Sequence, residues 1–138
     1  MRIIFLILVF MSLALAAYGE EPCELCGVWQ SNEAKTLEDI RANRSDLEDS
    51  SVDYPNGFFG RLINEFSKDK TRAYFIDDEA GERETWLEYR AVDSGEGLVT
   101  IHFDALPETS RMVLRVYGDC FALDVGGLYW EHFCRVRE

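Results

Sequence analysis

The chain has 138 residues, 47% of them hydrophobic, with 26 Asp and Glu against 14 Lys and Arg and a formal net charge of −12. That is the length of one domain, able to bury about two-thirds of the surface its unfolded form exposes. So acidic a balance excludes a nucleic-acid or anionic-membrane binder, which needs a basic face, and an aromatic content of 13% excludes a disordered chain.

Residues 1–19 open with Arg2, run apolar from Ile3 to Leu15 and end in small residues before Glu20-Glu21-Pro22. The apolar run is about 13 residues, short of the roughly 20 that span a bilayer, and this predicts a signal peptide cleaved after Ala16, Ala17 or Gly19. Arg2 leaves with it, so the charge deepens from −12 to −13, and residues 20–138 form a single domain. The expected location is periplasmic or extracellular, the bacterial periplasm being the simpler assignment. The sequon Asn43-Arg44-Ser45 matters only in a eukaryotic secretory pathway. Lipidation at Cys23 is disfavoured by the Glu-Glu-Pro that precedes it.

Export gives the cysteines their meaning. Cys23, Cys26, Cys120 and Cys134 are an even set, read as two disulfides in an oxidising compartment. A zinc site needs a second close pair, which Cys120 and Cys134 do not make. A redox CxxC opens a helix after a strand, and no strand is expected before Cys23 once the predicted leader is cleaved. No metal or cofactor is expected.

A first strand is predicted over Gly27 to Ser31. Leu37, Ile40 and Leu47 then fall at helical spacing, and Thr36 with Asp39 resembles a capping box, predicting a helix within 36–47. An acidic loop through Asp46, Glu48, Asp49 and Asp53 leads to the turn at Pro55-Asn56-Gly57. Seven further strands are expected near 59–66, 71–76, 84–92, 98–104, 111–117, 120–125 and 128–137, separated by compact turns such as Gly118-Asp119 and Gly126-Gly127. Asp77-Asp78-Glu79 lacks the alternating oxygens of a calcium loop and reads as a solvated hairpin tip.

Eight consecutive short strands with tight turns close on themselves, so the expected fold is all-β with one short helix: an eight-stranded antiparallel up-and-down barrel, the helix between strands one and two. In such a meander all four cysteines gather at one rim. If Gly126-Gly127 is a two-residue turn, Phe121 faces His132 and Leu123 faces Trp130, while Cys120 and Cys134 point to opposite sides. Each would then pair with one of Cys23 and Cys26.

Gly27-Val28-Trp29 at the start of the first strand resembles the Gly-x-Trp signature of the lipocalin and fatty-acid-binding-protein (calycin) superfamily. Two further residues extend the resemblance: Asp119 in the turn before strand seven, without the neighbouring Thr and Tyr of the family motif, and Arg135 or Arg137 as the cation packed over Trp29. No helix is expected after the last strand read here. A helix between strands one and two is more like the fatty-acid-binding branch, and it implies a helical lid over the open end. What the resemblance implies is a small hydrophobic ligand inside the barrel.

The inward-facing set expected to meet such a ligand is Leu62, Phe66, Phe75, Leu87, Tyr89, Ile101, Phe103, Leu114, Phe121, Trp130 and His132. An interior of this size is either just filled by side chains or just able to hold one small molecule. Arg61, Arg72, Arg90, Arg111 and Arg115 are expected outside, although one turned inward would suit a carboxylate. Catalysis is not expected: no Gly-x-Ser-x-Gly or phosphate loop is present, His102 is expected solvated beside Asp104, and His132 is expected to be partly buried and satisfied by one polar neighbour. The sequence thus predicts a non-catalytic exported binding protein. The alternative is a secreted protein–protein module, such as an enzyme inhibitor or envelope accessory factor, with a filled barrel and an acidic loop for a basic partner.

Overall fold

In the computed structural model the described residues are 22–43, 57–83 and 85–137. The predicted leader, the acidic segment through Asp46 to Asp53, Leu47 and the last two residues of the sequon lie outside them. Eight strands follow one another around a closed antiparallel barrel: β1 Gly27–Ser31, β2 Leu62–Phe66, β3 Lys70–Phe75, β4 Leu87–Gly95, β5 Leu98–Phe103, β6 Met112–Tyr117, β7 Cys120–Val125 and β8 Tyr129–Arg135. One helix, α1 (Glu33–Asn43), lies between β1 and β2, and β8 closes the barrel on β1 through Trp29 opposite Arg135. The architecture is compatible with a calycin-like fold. No described helix is long and apolar enough to cross a membrane.

Period-two alternation decides what fills the interior. Trp29, Phe66, Tyr89, Ile101, Leu114, Phe121 and Phe133 form one buried cluster, with Leu62, Val99, Phe103, Met112, Val116 and Leu123 packed against it. Phe121 stacks on Phe133 at 5.1 Å and leans on Trp29 at 5.0 Å, so the base of the barrel is solid. Leu25, in the tight loop closed by the Cys23–Cys26 disulfide, plugs that base, and its carbonyl accepts the Trp29 indole N–H at 2.8 Å. Arg135 crosses the Trp29 ring at 4.1 Å and donates to the Cys26 and Glu24 carbonyls. Arg137 instead reaches Asp119 at 2.6 Å.

The β7–β8 register differs from the expected one. Gly126, Gly127 and Leu128 form a three-residue loop, pairing Val125 with Tyr129, Phe121 with Phe133 and Cys120 with Cys134. One extra loop residue flips every side chain of β8. Cys120 and Cys134 therefore stand on the same face with their Cα atoms 4.0 Å apart and form a disulfide. Cys23 bonds Cys26. The cross-links expected between the N-terminal pair and the last two strands are not made, although both disulfides sit at the base.

The helix also starts earlier than its sequence suggests. Asn32 caps it, its side-chain oxygen accepting the Lys35 N–H at 3.0 Å, while Thr36 lies fully buried inside the first turn. The cause is β1, which ends at Ser31 while β8 runs on. Asn32 N–H donates to the His132 carbonyl at 2.7 Å, and the Thr36 hydroxyl accepts the His132 N–H at 3.0 Å. Helix α1 thus takes over from β1 as the partner of β8, giving the backbone groups of His132 a hydrogen-bond partner.

Candidate ligand site at the barrel mouth

Opposite the plugged base, the strands end at a mouth. A cavity of about 500 Å³ opens there, bounded by Gly57, Phe58, Phe59, Arg61, Leu62, Phe75, Tyr129 and Glu131. Leu62 and Phe75 are directly opposed across β2 and β3 and point inward by the alternation that buries Phe66. Tyr129 and Glu131 share the inward face of β8 with Phe133, and Phe59 sets its edge against Tyr129 at 5.8 Å. Phe58 packs edge-on to Phe59 at 5.1 Å. The described wall is thus mostly apolar, half of its residues aromatic, with one carboxylate set into it.

That carboxylate is tethered from below. The Ser31 hydroxyl donates to Glu131 Oε1 at 2.6 Å, and the Gly60 N–H donates to the same hydroxyl at 3.0 Å. Burial pushes the Glu131 carboxyl above its usual range, and the Ser31 hydrogen bond partly opposes this. Among the described residues no cation lies within salt-bridge distance of it. Arg61, the one basic residue in the cavity wall, is held by both carboxylate oxygens of Asp77 at 2.6 and 2.8 Å. One inward step deeper on β2 is Asn64, 5% exposed, whose amide nitrogen has no hydrogen-bond partner.

The expected ligand-facing residues distribute unevenly. Leu62 and Phe75 line the mouth cavity. Phe66, Tyr89, Ile101, Leu114 and Phe121 are buried in the core, Phe103 packs against it, and Leu87 is half-buried at the start of β4. Trp130 and His132 are on the outer face, as the β8 register requires, and Arg115 lies 4.6 Å above the Trp130 ring. The lid implied by the resemblance is not formed by α1, which packs along β8 and contributes no residue to the cavity wall. Glu131, Tyr129, Ser31 and Asn64 were not anticipated. Asn64 alone carried a sequence signal, a polar residue between Leu62 and Phe66 on an inward face.

On the outer face His132 joins Asp39 of α1 at 2.7 Å through Nε2, and its Nδ1 meets the Tyr117 hydroxyl. Carboxylate, imidazole and hydroxyl in series resemble an activated nucleophile. Burial, and then the Asp39 charge, push the Tyr117 phenol up rather than down, which is the opposite of activation. The adjoining cavity of about 380 Å³ is bounded by Asp39, Asn43, Arg115, Asp124 and Trp130 and includes neither His132 nor Tyr117. The chain of hydrogen bonds instead pins α1 to the barrel. His102 is half-buried and not fully solvated. Its side chain is 20% exposed and meets Glu108 at 2.9 Å, while Asp104 pairs with Arg90.

A hollow of about 670 Å³ on the outside of the base is wider open, its floor formed by Leu25, Tyr89 and Val99 and its edge by the charged Glu24, Lys68, Arg90 and Asp93. The described residues contain no cluster of three or more metal-ligating side chains. No protein-family model, no curated protein and no solved structure matches the chain.

Proposed function

We propose that this chain is a small exported, lipocalin-like binding protein that holds one small, mainly apolar molecule at the mouth of its barrel, without catalysis. The observation that carries this is the mouth cavity of about 500 Å³, walled by Phe58, Phe59, Leu62, Phe75 and Tyr129 above a solid base. Concave, largely aromatic pockets with a few placed polar groups are the usual form of small-molecule sites. Family membership is supported by Gly27, Trp29 and Arg135 packing together at the start of β1, and export by the leader and the two disulfides.

The depth of the site differs from the ligand inside the barrel that the resemblance implies. With Trp29, Phe121 and Phe133 filling the lower half, a ligand would sit among the strand ends and not along the barrel axis. Calorimetric titration with tryptophol, a neutral indole alcohol, tests the site. Measurable binding that Phe75→Glu abolishes is the expected result. No binding of tryptophol or of its amine analogue tryptamine, or binding indifferent to that substitution, overturns the proposal in favour of a filled barrel acting as a protein–protein module.

A further inference from the structure

Among the described residues Glu131 is the one acidic side chain in the wall of the mouth cavity, and its surroundings specify what it lacks. It faces inward from β8 between Tyr129 and Phe133 and receives only a neutral hydroxyl, that of Ser31. The nearest wall cation, Arg61, is turned outward to Asp77, with its guanidinium 5.8 Å from the Phe75 ring. A carboxylate drawn out of water among rings costs free energy unless a positive partner is supplied.

The rings around it point the same way. Aromatic faces carry negative quadrupole charge and attract a cation, most strongly where water is excluded. Phe59, Phe75 and Tyr129 therefore suit an ammonium as well as an apolar body. An anionic ligand would meet Glu131 by repulsion, with Arg61 already engaged. Among the described residues a metal ion would find a single carboxylate, too few ligands for a hard cation.

We propose that the mouth of the barrel binds a small organic amine as its ammonium ion, with Glu131 as counter-charge and Phe59, Phe75 and Tyr129 around its apolar body. The inference rests on the binding at the mouth proposed above and names its ligand class. It runs against the hydrophobic ligand implied by the resemblance and comes from the one unpaired charge among the described residues of the wall. Ser31 is the positioning residue: its hydroxyl fixes one carboxylate oxygen and leaves the other for the ligand.

Calorimetry on the full exported chain at neutral pH tests this with three analogues that share an indolylethyl body: tryptamine, tryptophol and indole-3-propionate. Tryptamine is expected to bind at least tenfold more tightly than tryptophol, and indole-3-propionate most weakly. Glu131→Gln is isosteric and retains an acceptor for Ser31. It is expected to lower tryptamine at least tenfold, to about the affinity of tryptophol for the unmodified protein. Raising the salt concentration should weaken tryptamine selectively in the unmodified protein, a readout that needs no variant to fold. Equal binding of tryptamine and tryptophol, with both lost in Phe75→Glu, overturns the amine assignment and leaves the mouth site standing. Failure of all three to bind overturns both.

Discussion

The Arg135 guanidinium lies 4.1 Å from the Trp29 ring and 2.8 Å from the place a Cβ on Gly27 would occupy. Gly27 has φ +133°, a conformation that side chains rarely adopt, so the glycine serves both the backbone and the passage of the arginine. Gly27→Ala should cost about 1–3 kcal/mol. Arg135→Lys should cost about 1–2 kcal/mol, because a point charge replaces neither the stacked plane nor the fork to two carbonyls. Urea unfolding followed by Trp fluorescence measures both.

Digestion without reductant should yield one peptide pair joined through Cys120 and Cys134, and Cys23 joined to Cys26. The first bridge closes a hairpin over a sequence separation of 14. Replacing Cys120 and Cys134 together by Ser should lower stability by roughly 3 kcal/mol or less, the chain-entropy estimate for so short a loop. A link from Cys120 to Cys23 or Cys26 would refute the β7–β8 register.

Helix α1 is held through Thr36 and Asp39. Thr36→Val leaves the His132 N–H without its acceptor, at a cost of about 1–3 kcal/mol. Asp39→Ala removes the contact to His132 Nε2 and should cost about 1 kcal/mol. Amide hydrogen exchange is the discriminating measurement. Protection should fall in Glu33–Asn43 for both variants while β5–β7 stay protected. Uniform loss across the barrel would contradict a helix docked on a self-sufficient wall.

Glu131 sets a pH dependence whose sign follows from its burial. Its folded carboxyl holds a proton more tightly than an ordinary Glu, because charge there is poorly solvated. Its contribution to stability is therefore fully present below the unfolded Glu range, near pH 4, and is lost as pH rises through the raised folded value. Glu131→Gln should raise the Tm at pH 7, and the gain should vanish as pH approaches 4. A gain independent of pH would exclude desolvation of the charge as the cause.

The turns and alternation of the sequence located all eight strands to within a few residues, and β7 at its observed bounds, because each strand carries its own period-two pattern. Ile101 and Phe121 were assignable to the interior for the same reason. Glu131 was not. Tyr129, Glu131 and Phe133 alternate with Trp130 and His132, and either set makes an acceptable inner face when β8 is considered alone. Thr36 reads locally as a cap but is recruited by a strand almost a hundred residues away.

Composition and local pattern by themselves determined an acidic chain, eight strands, one helix and a closed meander, since these depend on residues adjacent in sequence. Tertiary structure decided which face of β8 points inward. Stacking Phe133 on Phe121 at 5.1 Å, pairing Cys134 with Cys120 and giving the backbone of His132 a helix partner all require the three-residue loop. No one of these contacts is visible within a single strand. Together they turn Glu131 toward the mouth and place His132 outside.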